Sequence, residues 1–258
     1  MVTSNVKFRA GADPEVFLQQ DGEFVAVCGM LGHDKWNPMQ VPDMAQGFTF
    51  QEDNVALEFG VPPASSAKEF ISHIKAVQAR FLAEHKHLTF SKISAVVFPK
   101  SQLKHPSAKI FGCEPDFNAW TGDINPKPAA PSKQLRSAGG HVHIETHLNP
   151  REVIKALDVY LGIPATLMDE GELRKQLYGK HGAYRPKPYG AEYRTLSNFW
   201  IFEEKYIQWV WDNTQRALNF VENGGTVDHL EQQVIQVIDN NDKELAEQLV
   251  QELSLEVV

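Results

Sequence analysis

The 258-residue chain is short of cysteine, of positive charge and of long apolar runs, and each shortage excludes something. Cys28 and Cys113 are the only two cysteines, far apart and in no C-x-x-C pair, which argues against a disulfide framework or a structural zinc site. A formal net charge of −8 argues against a nucleic-acid binder with a broad basic face, though not against one local basic pocket. No stretch of about eighteen apolar residues occurs, and no charged-then-apolar leader opens the sequence, so the expectation is a cytosolic protein with no membrane partner. Three common chemistries also lack their signatures: there is no Walker loop, no Rossmann glycine fingerprint and no G-x-S-x-G elbow. Nothing around Cys113 marks it as an activated nucleophile; Gly112-Cys113-Glu114-Pro115-Asp116 reads as a turn that leads into Phe117 and Trp120 near the site.

What is present is an ordinary globular composition, 42% hydrophobic and 22% charged, at a length that suits one domain or two. Glu15 to Leu18 and Phe24 to Val27 read as a hairpin around Gln20-Asp21-Gly22. Asn54 to Val61 alternates, with Val55, Leu57, Phe59 and Val61 on one face, and Pro62-Pro63 is expected to end it. Ser66 and Glu69 form a capping box for a helix over 67–85, with Phe70, Ile74, Val77 and Phe81 as its apolar stripe. Residues 93–98 read as a short buried strand and 99–138 as long loops. Asn149-Pro150 opens a second helix. Residues 178–190 read as a Gly/Pro loop, and a long helix over 202–222 stops at Gly224-Gly225. Residues 1–225 are expected to form the catalytic unit. An acidic helical tail over 226–258 is expected to pack on it or to mediate oligomerisation. Strands with polar faces between long helices give an α+β class, with an antiparallel or mixed sheet and helices on its other side.

Two strands carry the strongest signal. In Gly139-Gly140-His141-Val142-His143-Ile144-Glu145 the two-residue period puts His141, His143 and Glu145 on one face. Glu192 and Arg194 share a face in the same way. Asp13, Glu15, Glu52, Asp53 and Glu58 add carboxylates on other strands, and the even spacing of Glu52 and Glu58 puts them on one face if no bulge intervenes. A single strand-end acid is most often plain surface, but recurrence against apolar opposite faces points to a site. Hard oxygen donors suit Mg²⁺ or Mn²⁺, with His141 as a lone nitrogen ligand. The Arg194 guanidinium suits a carboxylate or phosphate, and Arg136 is expected near the histidine strand. Arg185 and Lys187, read as loop cations, are within reach of nucleotide phosphates.

Four segments, in order, resemble the motifs of carboxylate–amine ligases: Gly11-Ala12-Asp13-Pro14-Glu15-Val16-Phe17, Gln51 to Glu58, Gly139 to Ile144, and Tyr189 to Arg194. The Gly112–Trp120 segment resembles them too. This is the superfamily of glutamine synthetase and glutamate–cysteine ligase, and the chain is most similar to its phage-encoded type 2 amidoligases. The tail after Gly225 lies outside the resemblance. What the resemblance implies is a glutamine-synthetase-like catalytic domain, a curved, mainly antiparallel sheet with helices on its outer side, binding ATP and Mg²⁺ or Mn²⁺, in the host cytoplasm if phage-encoded. It makes Glu15 and Glu58 metal ligands with Asp13 and Glu52 as companions, and Glu192 a further ligand. It sets His141 near metal and phosphate, His143 on the nucleotide, and Arg194 on the transferred phosphoryl group or substrate carboxylate. Asp13 stands where larger relatives have the longer Glu. A carboxylate is a poor acyl donor until phosphorylated, and phosphoryl transfer needs metal and cations more than a protein nucleophile. Glu52 or Asp53 is then available to take the proton of the incoming amine. The substrates are a carboxylate and an amine, free or borne by a peptide or protein. Two other readings stay open: a zinc hydrolase using His141 and His143, and an inactive phage scaffold.

Overall fold

One proline sets the geometry at the centre of the sheet. Pro14 has no N–H to give to a ladder, and at Asp13-Pro14 the first extended segment breaks into β1 (Arg9–Ala12) and β2 (Glu15–Gln20). The computed structural model describes residues 5–109, 116–126 and 132–258. After β2 the chain turns at Asp21 and Gly22, both at positive φ as a tight hairpin requires, into β3 (Glu23–Val25). Then follow β4 (Met39–Gln40), β5 (Thr49–Asp53), β6 (Ala56–Ala64), helix α1 (Ala67–Glu84), β7 (Thr89–Ser91) and β8 (Ala95–Val97). Next come β9 (Phe117–Asn118), β10 (Leu135–Ser137), β11 (Val142–Glu145), α2 (Pro150–Leu157), α3 (Ile163–Met168), β12 (Ala183–Lys187) and β13 (Gly190–Tyr193). The helices α4 (Glu204–Glu222), α5 (Glu231–Asn240) and α6 (Lys243–Glu252) close the chain.

Among the described residues, eleven strands join in one sheet whose main path is β3-β2-β6-β1-β11-β13-β12-β9. Every strand pair in it is antiparallel. β8 and β10 form a separate ribbon. The α+β expectation and the mainly antiparallel sheet therefore hold.

The register across the middle of the sheet sorts polar from apolar side chains. One transverse row runs Ala12, Val142, Tyr193, Tyr184 across β1, β11, β13 and β12. The next runs Gly11, His143, Glu192, Arg185, and beyond it lies Arg9, Glu145, Gly190, Lys187. The apolar row packs with Ile154 and Leu157 of α2 and with α1 and α4 in the main core. In α1 the stripe Phe70, Ile74, Val77 and Phe81 is fully buried, each such side chain worth about 1.5–3 kcal/mol over its exposed state. Ser66 caps this helix by accepting the Glu69 N–H, while the Glu69 carboxylate answers at Ser65.

Four expectations need correction. The 93–98 segment is a strand only over Ala95–Val97, and Ile93 and Val97 are about half exposed, because a two-stranded ribbon has no second layer over its outer face. Pro62-Pro63 does not end β6: the two prolines sit where its register on β1 shifts by one residue, a bulge that needs no N–H from them. Residues 183–187 are strand rather than loop. β9 pairs only with Ala183 and Tyr184, so Pro186 faces an open edge where no donor is required. Finally, Asn54 is a turn residue at φ 56 between β5 and β6, not part of a strand.

The last thirty residues carry the helices α5 and α6. Val234, Val237, Ile238, Ala246 and Leu249 of α5 and α6 close a second core over Val159 and Ile163. Gly162 makes this possible, since a Cβ there would stand 2.5 Å from Ile238. Among the described residues no helix is long and apolar enough to cross a membrane.

Candidate active site

The break at Pro14 sends two carboxylates in different directions. Asp13 turns to the histidine strand, its Oδ1 3.3 Å from His141 Nδ1 and its Oδ2 3.1 Å from His143 Nε2. Asp13, His141 and Glu192 bring ligand atoms within 4.8 Å of one another. Glu15 turns to the β5–β6 hairpin, pairs across strands with Glu58, and forms a second group of the same tightness with Glu58 and Asp53. Its Oε2 accepts the Gly139 N–H at 2.8 Å. Gly139 must lack a side chain, because a Cβ there would lie 2.3 Å from His141 Nε2.

The electrostatics of the two groups are opposite. Burial, with Asp53 next to it, pushes Glu15 up to about 8. Burial followed by repulsion from Asp13, Asp53 and Glu15 lifts Glu58 well above the carboxylate range. Asp53 is raised by burial although Lys35 and Arg194 oppose it. In the other group, burial and Asp13 raise Glu192, but Arg194 and the two histidines prevail and hold it at about 2. Asp13 is likewise drawn down, its histidine neighbours outweighing burial. Burial and Arg194 depress His141 to about 4, which leaves a neutral imidazole at pH 7, while Asp13 raises His143 against burial.

Glu192 is fully buried and ringed by cations. The Arg194 guanidinium bonds its Oε1, Lys187 Nζ lies 2.8 Å from Oε2, and Arg185 Nη1 lies 3.5 Å from Oε1. Arg194 also reaches His141 Nδ1 at 3.2 Å. Thus Asp13, Glu15, Asp53, Glu58, His141, His143, Arg185, Lys187, Glu192 and Arg194 come together. Arg185 and Lys187 arrive from a strand, not a loop.

Glu52 turns away from that constellation, and Arg136 stays at its margin, lining a small cavity with Glu15 and Asp53. The turn at Asn54 reverses the parity of the count from 52 to 58: Gln51 pairs with Glu58, and Glu52 pairs with Leu57 on the other face. There the Glu52 carboxylate accepts the backbone N–H groups of Gly29, Leu31 and Gly32 at 2.7–2.9 Å. Arg136 is buried beneath the hairpin. Its Nε donates to Asn54 Oδ1 at 2.8 Å and its Nη1 to the carbonyls of Lys133 and Leu135. The two histidines meet at the two oxygens of Asp13, and His143 turns its Nδ1 to the Tyr189 hydroxyl at 2.5 Å.

Three contributors escaped the sequence reading. Asp116 faces Arg194 Nε at 3.4 Å; its place after Gly112–Pro115, which lie outside the described residues, was the available signal. Tyr189, in the β12–β13 turn, orients His143. Arg174, 2% exposed, donates to the carbonyls of Arg194 and Thr195, and no sequence pattern announces it.

Beside the two groups lies a cavity of about 590 Å³, walled by Asp13, Glu58 and His143 and floored by Gly11 and Gly60. Residues 129–256 match the family model of phage phiEco32-like COOH.NH2 ligase-type 2. That segment, 128 of the 258 residues, is similar to this family. The match takes in β10 to β13, with His141, His143, Glu192 and Arg194, and runs past Gly225 through the tail helices. The segments around Asp13 and Glu58 precede it. The match to the COOH.NH2 ligase-type 2 family supports a carboxylate–amine ligase in general. No curated protein matches the chain.

Proposed function

We propose that the chain is an ATP-dependent amidoligase that activates a carboxylate as its acyl phosphate and passes it to an amine. The observation that carries this reading is the adjacency of two carboxylate-rich groups to three cations, two on β12 and one just past β13. The donor sets suit Mg²⁺ or Mn²⁺: carboxylate oxygens plus one neutral imidazole, with those of Glu15, Asp53 and Glu58 crowded so that they repel without a cation between them. Bound metal would neutralise charge on the phosphate oxygens.

In this reading Glu15, Asp53 and Glu58 hold one cation, and Asp13, His141 and Glu192 a second. Arg194, Arg185 and Lys187 bind the transferred phosphoryl group, and Glu192 keeps them parked until the nucleotide arrives. The substrate carboxylate oxygen bonds to the γ-phosphorus as the bond to ADP breaks. The amine nitrogen then bonds to the acyl carbon, phosphate leaves, and a proton passes to a carboxylate. Asp53 suits that last task better than Glu52, whose oxygens are committed to backbone N–H groups.

Thermal unfolding of the protein with ATP and Mg²⁺, Mn²⁺, Zn²⁺ or chelator tests the proposal. ATP at about 100 times its dissociation constant adds roughly 2.7 kcal/mol of stability. That gain is expected with Mg²⁺ or Mn²⁺ and is lost in Glu58→Gln. A response to zinc alone, with none to nucleotide, overturns the reading in favour of a hydrolase.

A further inference from the structure

The cavity beside the two carboxylate groups does not end there. At its outer limit stand Arg9, Glu145 and Tyr189, and a second groove of about 920 Å³ starts at the same three residues. This groove runs past Lys7 and His147 to Phe8 and Trp211, whose rings lie 4.5 Å apart. The three shared residues form the waist between the two. Arg9 and Glu145 face each other across β1 and β11 in a 3.3 Å ion pair, about half exposed on both sides. Such a pair contributes little stability and parts readily. Tyr189 is 40% exposed.

A drug-sized ligand fills roughly 300–1,000 Å³, so either hollow alone would hold one. A free amino acid would leave most of the inner one empty and would never touch the outer one. The shape instead suits a chain that enters along the outer groove, crosses the waist and presents its end at Asp13 and Glu58. Polarity along the path gives the direction: the lining of the outer stretch carries Lys7 and Arg9 against one acid, Glu145, with His147 turned to Glu222, while the inner end carries the carboxylates that suit a metal. The outer stretch therefore favours an acidic chain. At the inner end a carboxyl group is welcome only where a metal meets it.

We propose that the carboxylate substrate is an acidic polypeptide segment that lies along the Lys7–Arg9–His147 groove with its reacting carboxyl at the Asp13–Glu58 end. A polypeptide supplies the carboxylate that the reaction consumes. Its side chains supply acids for Lys7 and Arg9 and an apolar group for the Phe8–Trp211 floor. This inference rests on the ligase reading and names the substrate class of the same site.

The test uses N-acetylated peptides of one, three and six residues that end in glutamate, the added residues alternating Ala and Glu. Their affinities are measured calorimetrically without nucleotide. A parallel assay with ATP, Mg²⁺ and hydroxylamine traps any acyl phosphate as a hydroxamate: the hydroxylamine nitrogen bonds to the acyl carbon and phosphate leaves. The dissociation constant should fall at least tenfold from one residue to six, with hydroxamate yield rising in step. Lys7→Glu should remove most of that gain, its own unfolding transition confirming that it is folded. Equal affinity at all three lengths, or a gain untouched by Lys7→Glu, overturns the proposal. The two readings fail separately: a length-dependent affinity without stabilisation by ATP and Mg²⁺ sinks the ligase mechanism and keeps the peptide groove.

Discussion

The two carboxylate groups sit side by side on one sheet face, and they are built on contrary principles. Around Glu15, Asp53 and Glu58, acids stand against acids, and all three are pushed up. Around Glu192 every acid has a base: Arg194, Lys187 and Arg185 on its own carboxylate, and two histidines on Asp13. Glu192 and Asp13 are drawn down accordingly. The first group is short of positive charge, which a metal would supply. The second carries its own cations, held by an internal carboxylate in the place where an anion would come. A site for an anionic nucleotide with its metal needs both halves, and the contrast can be attacked from either side.

The largest effect is expected on the paired side. Arg194→Met leaves the buried Glu192 with Lys187 and Arg185 alone, and breaking a buried pair costs up to about 3–5 kcal/mol. Urea unfolding should show that loss. Arg194→Lys should recover part of the stability but little hydroxamate-forming activity, since a point ammonium cannot reproduce the planar fork between Glu192, His141 and Asp116. If the lysine variant works as well as the parent, Arg194 serves structure alone.

On the crowded side the sign reverses. Glu58→Gln removes one of three mutually repelling acids and should raise the melting temperature of the chelator-treated protein. The same change should abolish stabilisation by ATP and Mg²⁺, a loss of roughly 2.7 kcal/mol at saturating ligand. Greater stability with lost binding is the mark of a site held against its own repulsion. A Glu58→Gln protein that is less stable without metal would contradict it.

The pH profile sharpens the same contrast. Glu15 titrates near 8 in the fold against about 4.5 when free, so the folded state holds its proton more tightly. Stability from that group is complete below about 4.5 and is lost as pH rises towards 8. Glu192 titrates near 2, so its contribution is complete above about 4.5 and is lost as pH falls towards 2. Without metal, the protein should therefore weaken at both ends. Glu15→Gln should make the alkaline limb shallower, the rest of it belonging to Glu58 and Asp53, and leave the acid limb in place, as chelator-treated unfolding curves at graded pH would record.

How far the sequence discloses this site depends on what each residue's position relies on. His141, His143, Glu192 and Arg194 are legible because they lie on or next to plain strands, where a period of two is enough. The helix α1 is legible for a similar reason, a local cap and a local stripe. Where a turn or bulge intervenes, counting fails. Asn54 in the left-handed region turns one apparent strand into two, and Pro62-Pro63 hides the continuation of β6. Pro186 disguises β12 because a strand with an open edge tolerates what a central strand does not. Arg174 and Asp116 reach Arg194 from about twenty and eighty residues away, and no local pattern encodes a partner at that distance.

The smallest expected effect separates neighbours that look equivalent on paper. Asp53 belongs to the crowded group, whereas Glu52 closes the 29–32 loop with three backbone hydrogen bonds. Glu52→Gln keeps one acceptor oxygen and should cost about 1 kcal/mol, the usual net worth of such a bond. Because its carboxylate faces away from Glu58, binding of ATP and Mg²⁺ should survive. Asp53→Asn should show the opposite pattern: stability kept or raised, because a repelled acid is gone, and amide formation slowed. The decisive comparison is the ratio of the two effects within each variant. If Glu52→Gln loses turnover at full stability while Asp53→Asn does not, the proton acceptor is Glu52, and the 29–32 loop must release it during the reaction.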